Sequence, residues 1–395
     1  MLPKMEETLK QQIREAIYKT GFPLEHYIDG VLKQHGWQTI TNRHYIDDVK
    51  GVEREIDILA YKVYKDDNER IEYITSLIIS CKKSEVNKWC FLTRNANPND
   101  VNTDWTPLHY CTNDKVLSYM TQHHRELITE RYLSNRATKH LYNFDERVFA
   151  YQILEEKITK KGKEHNSHWE IVKNDALHDS ISTSIKALDM ERRSLVERHT
   201  SRPYNRYYTF HILSVYDGEM VKAHFNSDDT IDISDITHIN YINRHIVNKV
   251  DDFYIVHFIK KEILDYRLKL FDYLHTENCR TLPKIIDSFY KDIFSDNKRV
   301  QIFWKEFADL IGWRIKKILV EEKVIDPSES VILTYLYYQD QEFLEIGVNF
   351  SNYTFVEDVQ QILNDNKELR NVTKQYLRSL YRYNDDFTFS NAFPF

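Results

Sequence analysis

The spacing of apolar positions changes period several times along the chain. Met5, Leu9, Ile13 and Ile17 stand four apart, which predicts an amphipathic helix over 3–20. Gly21, Phe22 and Pro23 break it. Leu24, Ile28, Val31 and Leu32 then predict a second helix over 23–35, with Gly36 placed as its C-terminal cap. Beyond Gly36 the period falls towards two. Residues 37–46, 52–64 and 71–83 read as strands separated by turns at 47–51 and 66–70, and 88–93 reads as a fourth strand. The run Leu77, Ile78, Ile79 suits a central strand buried on both faces.

Residues 94–110 are irregular, and 112–200 read as three helices with an exposed loop at 160–168. Residues 206–226 read as a hairpin turning at Asp217-Gly218. Strands follow near 237–246 and 252–258, a helix over 260–276, helices over 283–325, a strand pair over 331–349 and terminal helices over 354–383. The order predicts an α/β (α+β) protein with a mixed central sheet flanked by helices and a mainly helical C-terminal region. Four segments are expected: a core over 1–110, a helical insertion or connector over 111–205, strands and a helix able to complete the core sheet over 206–280, and a mostly helical domain over 281–395.

Composition narrows the classes. The 395 residues allow two or three domains. Only 8 Gly and 8 Pro argue against Gly-rich phosphate loops and linker-rich chains, and 13 % aromatics against disorder. Cys81, Cys90, Cys111 and Cys279 form no CxxC pair, so neither a disulfide framework nor a zinc knuckle is indicated. No signal pattern is visible and no apolar run approaches the roughly 18 residues of a membrane span, which predicts a cytoplasmic protein without a membrane partner. The net charge of −7 is no nucleic-acid signature, but its distribution is uneven. Residues 121–206 carry 16 basic and 13 acidic side chains, and 207–395 carry 22 and 30.

Candidate chemistry concentrates in the first 85 residues. Glu25 lies on the second helix. Glu55 and Asp57, two apart on one strand, share a face. Lys82 lies near the end of the next strand, on the face of Ser80. A carboxylate and a lysine ending neighbouring buried strands, with an acid from a preceding helix, can form a phosphodiester-cleaving metal site. The carboxylate holds Mg²⁺, which activates a water, and the ammonium stabilises the developing charge. Mg²⁺ needs few protein oxygens, because water and phosphate complete its shell.

Glu55-Ile56-Asp57-Ile58-Leu59-Ala60, then Ile78-Ile79-Ser80-Cys81-Lys82-Lys83-Ser84 and Trp89, resemble the PD-(D/E)xK, or restriction-endonuclease-like, superfamily. Glu25 in Pro23-Leu24-Glu25-His26-Tyr27-Ile28 is similar to the helical glutamate of many members, and the resemblance spans about residues 15–95. It implies Mg²⁺-dependent hydrolysis of nucleic-acid phosphodiesters, with Mn²⁺ able to substitute. Asp57 is then the principal metal ligand, Lys82 the catalytic lysine, the Cys81 carbonyl a further ligand and Glu25 an outer-sphere acid. It also implies DNA as the substrate, dimeric cutting, and the anti-phage or anti-plasmid defence in which similar standalone bacterial proteins act.

Ser80 departs from the pattern, which has a second acid two residues before the lysine. Glu25 or Glu55 can supply the missing charge, Glu85 can if the strand ends early, or the site is degenerate. The last case defines the alternative, a catalytically impaired nucleic-acid-binding or assembly subunit that keeps the fold.

Other features change the picture less. Arg192, Arg193, Arg198, Arg202 and Arg206, flanked by aromatics, are the best candidates for contact with a phosphate backbone. Arg206 and His211 satisfy Arg-x4-His by coincidence, because the segment between them is strand-like. His123, His124, His165 and His168 read as solvated, and Cys81 and Cys90 as small buried residues. The amphipathic stretch 303–318 reads as core, or as a partner or self-association interface.

Overall fold

The computed structural model describes residues 7–47, 51–142, 144–161, 164–198, 203–351 and 358–391. The chain divides into two compact units, Met1–Pro283 and Lys284–Phe395. The protein is mixed α+β, with 42% helix and 39% strand among the described residues, and a large mixed sheet flanked by helices.

The first unit opens with α1 (Glu7–Tyr18) and α2 (Phe22–Gln34). Leu9, Ile13 and Ile17 of α1 are exposed. Leu24, Ile28, Val31 and Leu32 of α2 are buried, and Gly36, at φ +76°, makes the left-handed turn that ends it.

Strands β1 (Gln38–Asp47), β2 (Val52–Asp66) and β3 (Ile71–Asn95) follow as an antiparallel meander. Next come β4 (His109–Thr112), short helices α3 (Lys115–His123), α4 (Arg125–Ser134) and α5 (Arg136–Lys139), and the hairpin β5 (Glu146–Lys161) and β6 (Glu164–Val172). Helix α6 (Asp175–Arg198) leads into β7 (Asn205–Phe225), then β8 (Ile231–Asp235), β9 (His238–Val247), β10 (Val250–Lys260) and α7 (Leu264–Tyr290).

The sheet has ten strands, with the central order β1-β2-β3-β7-β10-β9. β3 and β7 run parallel from Ile71/Asn205 to Thr93/His224, and both are buried along most of their length. Each exchanges partners on its outer edge. β3 pairs with β2 as far as Ile79 and with β5 from Asn87. β7 pairs in turn with β4, β10 and β8.

Strand alternation gives the sheet two unlike faces. One packs Leu59, Ile74, Ile78, Phe210, Ile212 and Val256 against Leu177, Ile181, Ile185 and Leu188 of α6. The other meets α7 with polar contacts as well as apolar ones: Thr75 Oγ1 lies 3.0 Å from His275 Nδ1, and Asn278 donates to Thr209.

In the second unit, α8 (Asn297–Glu321), α9 (Asp358–Asp365) and α10 (Lys367–Tyr381) accompany a three-stranded sheet of β11 (Val331–Tyr338), β12 (Phe343–Phe350) and β13 (Phe387–Ser390). Phe307, Ile311 and Ile315 of α8 are buried, as are Leu369, Leu377 and Tyr381 of α10. This part of the stretch 303–318 is therefore core, while Trp313 is exposed.

Three expectations are corrected. Residues 146–161 and 164–172 are paired antiparallel strands rather than helix and loop. The charged run Glu155 to Lys161 suggests a helix, yet it pairs antiparallel with Glu164 to Glu170. Residues 71–83 and 88–93 belong to one strand, interrupted by a bulge at 84–87 where Ser84 Oγ accepts the Asn87 N–H. Asp217-Gly218 is no turn. Gly218 lies mid-strand facing that bulge, and a Cβ there would stand 2.7 Å from the Ser84 carbonyl oxygen and 2.5 Å from the Tyr216 ring. The dipeptide signals close backbone approach, which glycine also permits.

Gly218→Ala is expected to cost about 1–3 kcal/mol, since a backbone carbonyl must move to admit the methyl group. Gly30→Ala, inside α2, meets nothing within 4 Å and is expected to gain about 0.5–1 kcal/mol from helix propensity. Urea unfolding of the two variants beside the parent chain checks both signs.

Candidate active site where two strands part

Past Ile58/Ile79 the β2–β3 ladder ends, and β5 joins β3 only at Asn87. The edge of β3 between them lacks a strand partner. A buried N–H there needs another acceptor. Asp57 supplies it: its Oδ2 accepts the Cys81 backbone N–H at 2.6 Å. Residues in a strand send N–H and C=O to the same edge, so the Cys81 carbonyl faces the same gap.

Lys82 projects to the same face of β3 as Ser80. Its Nζ stands 4.0 Å from Asp57 Oδ2, with the lysine side chain 33% exposed and the aspartate 21%. Ser80 adds a small influence that holds the Asp57 carboxyl down. The pair is therefore open to solvent at its lysine end.

The first turn of α2 brings Glu25 close enough to feel both Asp57 and Glu55. Burial first, then these two charges, hold its carboxyl above the ordinary value. Asp57 is also held above its ordinary value, mainly by burial and further by Glu55, against the opposing pull of Lys82 and the Cys81 N–H. Glu55 is exposed and accepts from Asn42 Nδ2 at 2.7 Å. Glu85 lies in the bulge and pairs with Lys83 at 3.3 Å, since the strand continues past it.

Sequence reading missed Asn42, Thr183 and Ser184. The β1–β2 pairing skips Asn42 opposite Asp57, and Asn42 takes φ +52°, a conformation asparagine tolerates. An asparagine inside a strand-like run was the available signal. Thr183 and Ser184 of α6 line a cavity of about 50 Å³ with Glu55, Asp57, Ser80 and Lys82. That is room for an ion or one or two waters. A larger cavity of about 680 Å³ begins at Lys83, walled by Lys88, Glu156, Trp169, Asp217 and Glu262, so its charge is mixed rather than basic.

Among the described residues no group of three His, Cys, Asp or Glu side chains is placed to hold a metal ion. The donor set is Asp57 with the Cys81 carbonyl, and Glu25 and Glu55 beyond. Sparse, all-oxygen donors fit Mg²⁺, which retains waters, and not a closed zinc site.

Three of the five arginines singled out form ion pairs within the fold. Arg192 lies 3.5 Å and Arg193 3.1 Å from Asp189, and Arg206 binds Glu72 at 2.7 Å. Arg198 ends α6 with its side chain outside the described residues, as Arg202 is entirely. His168 pairs with Glu170 at 3.0 Å, and the His165 side chain is outside the described residues. Arg206 and His211 fall on opposite faces of β7. Among the described residues no helix is long and apolar enough to cross a membrane.

Comparison with protein-family models, curated proteins and solved structures finds no match for the chain.

A carboxyl whose folded pKa is raised contributes stability below its unfolded value and loses it as pH rises through the folded value. Asp57→Asn keeps an acceptor for the Cys81 N–H and removes the buried charge. In chelator at pH 7 it is expected to unfold at a higher temperature than the parent chain, with the gain vanishing as pH falls towards 4. Thermal unfolding across pH 4–8 checks this; a variant less stable at pH 7 would contradict it.

Proposed function

We propose that the chain is a Mg²⁺-dependent endonuclease of restriction-endonuclease-like type, hydrolysing phosphodiesters of DNA in prokaryotic defence against phage or plasmid. The observation that carries the reading is the meeting of Asp57, Lys82 and Glu25 in one solvent-open gap, where β3 changes partners. Two carboxyls are held above their ordinary values, by burial above all and by neighbouring carboxylates in addition. A bound cation would favour their charged forms.

Asp57 and the Cys81 carbonyl would hold Mg²⁺, or Mn²⁺ in its place, with Glu25 and Glu55 acting through waters. When bound, the ion supplies an activated water and neutralises phosphate charge. The chain's own groups do the rest. Lys82, fixed beside Asp57 but open to solvent, presents its ammonium to a phosphate oxygen and stabilises the charge that grows on it. Asp57 is itself fixed by the Cys81 N–H, so its second oxygen keeps a set direction. Ser80 cannot add the charge of a second acid, which leaves that role to Glu25. Dimeric cutting or a partner protein bound through the C-terminal half belongs to the same reading.

The second reading is a nucleic-acid-binding or assembly subunit with an impaired site. Ser80 favours it, as does the absence of three grouped ligand side chains among the described residues.

Cleavage of plasmid, linear duplex, single-stranded DNA and RNA, in Mg²⁺, Mn²⁺ or EDTA, separates the two. The nuclease reading expects metal-dependent cutting, reduced about 10²-fold or more by Lys82→Ala. Cutting that survives both Lys82→Ala and Asp57→Ala would sink it. Retained nucleic-acid binding without cutting, in parent and variants alike, would establish the second reading.

A further inference from the structure

The second unit has an outer strand whose free edge meets no partner strand among the described residues. Its sheet runs β11-β12-β13, so β11 and β13 are the outer strands. The fold treats the two edges differently. β13 is four residues long, and the Asn364 side chain binds both its Phe389 N–H, at 3.0 Å, and its Phe389 carbonyl, at 2.9 Å. β11 is eight residues long, and among the described residues it pairs with β12 alone. Val331 to Tyr338 contains no charged residue and no proline, and its ladder with β12 has no bulge. Charge, proline and bulges are the usual devices that blunt an outer strand.

A hollow of about 480 Å³ runs along this edge. Tyr335, Leu336 and Tyr337 wall one side, and Phe294, Ser295 and Asn297, on the turn into α8, wall the other. Successive residues of a strand face opposite ways, so three in a row border a hollow along the strand's edge and not on one face. Among the described residues none from β12 lines it, which makes this the free edge. The floor is aromatic. Tyr335 Oη donates to Asn297 Oδ1 at 3.1 Å, and the Phe294 ring stands 5.8 Å from that of Tyr335 and 5.9 Å from that of Tyr337.

The shape fits an added strand. Free backbone donors and acceptors in a row recognise an extended main chain, and the side chains beside them choose among sequences. Charge at the rim narrows that choice. Asp292, Asp340, Glu342 and Asp385 are exposed and form no ion pair among the described residues. Burial first, then Glu342, Asp292 and Asp385, push the Tyr337 hydroxyl above its ordinary value, and burial with Asp296 does the same for Tyr335. Every charge that acts on these two hydroxyls is acidic. Arg299 and Arg382 are spent within the unit, on Asp296 at 3.0 Å and Asp287 at 3.0 Å. The same acids disfavour a second copy. Two β11 strands paired antiparallel about Thr334 would set the Glu342 end of one against the Asp326 end of the other, acid against acid.

We propose that the free edge of β11 is a docking site for an extended basic segment of a partner protein. The segment adds to the sheet as a fourth strand and sets lysine or arginine side chains among Asp292, Glu342 and Asp385. Every residue named lies in the second unit, so the proposal does not depend on the nuclease reading.

The test is selection from a random peptide library on the immobilised full chain, followed by fluorescence anisotropy of the selected peptides after synthesis. Enriched peptides are expected to be rich in lysine and arginine and free of proline. Each is then made in two forms, N-methylated on one or the other alternate set of backbone amides. One form should bind about tenfold or more weakly, because its methyl groups replace donors to β11, while the other binds as the parent peptide does. Asp292→Asn combined with Asp385→Asn should weaken binding about tenfold, and less so at high salt. Asparagine tolerates the left-handed backbone at position 292, where φ is +51°, so this variant keeps the fold even if Leu336→Lys, which puts a charge on the edge and should also weaken binding, does not. Selection of no peptide, of acidic or of proline-rich ones, equal binding by the two methylated forms, or affinity unchanged in the asparagine variant would each overturn the proposal. So would sedimentation that finds the full chain dimeric and the Leu336→Lys chain monomeric, since the edge would then serve a second copy.

Discussion

The parallel pairing of β3 with β7 is the constraint on which the first unit depends. Two strands of 25 and 21 residues lie side by side, each buried on both faces for much of its length. Parallel neighbours cannot be joined by a tight turn. The chain therefore leaves β3, builds β4, the β5–β6 hairpin and α3 to α6, and only then returns as β7. Helix α6 comes back across one face of the sheet, which leaves the other to α7. The bulge at 84–87 and Gly218 are matched consequences: the extra residues on β3 push a carbonyl towards β7, and only glycine leaves room for it.

The candidate active site grows from the same geometry. A strand whose inner edge is fully occupied by β7 can still change neighbours on its outer edge. Where β2 departs and β5 has not yet arrived, backbone groups of β3 lose their partners. Asp57 takes over one of them, which ties a carboxylate to the backbone beside Lys82. The electrostatics are unsettled by design of the fold: Asp57, Glu25 and Glu55 share a partly buried region with a single close lysine. Burial first, and neighbouring carboxylates after it, raise the carboxyls of Asp57 and Glu25, so protonation eases the charge held there.

Both faces of the sheet bury polar groups among apolar ones. Under α6 an aliphatic and aromatic cluster is accompanied by Ser180 Oγ, 2.6 Å from Ser214 Oγ, and by Glu191, which accepts from Tyr61 and pairs with Arg43. Under α7 the sheet buries His211, His257, Thr75 and Thr209, and α7 answers with His275, Asn278 and Arg267. Most of these groups find partners within the unit. The side edge of Arg267 has no partner among the described residues.

The sequence alone determined what is local. The four-residue spacing of Leu24 and Ile28, with Gly36 beyond, set α2 and its end, and the apolar run at 77–79 set β3 as a central strand. The positions of Asp57 and Lys82 on adjacent strands were legible for the same reason, since period-two alternation fixes a face. Tertiary structure decided the rest. Glu155 to Lys161 carries a helix-like charge pattern, yet pairing with β6 makes it strand. Asp217-Gly218 has turn chemistry, but a carbonyl from another strand explains its glycine. Arg206 looked free to meet a phosphate until Glu72, 134 positions away, was brought beside it. Asn42 shows locally only that it interrupts a strand-like run; its contact with Glu55 is placed by the pairing of β1 with β2. Local periodicity reports which way a side chain faces; what it faces is fixed by contacts between segments far apart in the chain.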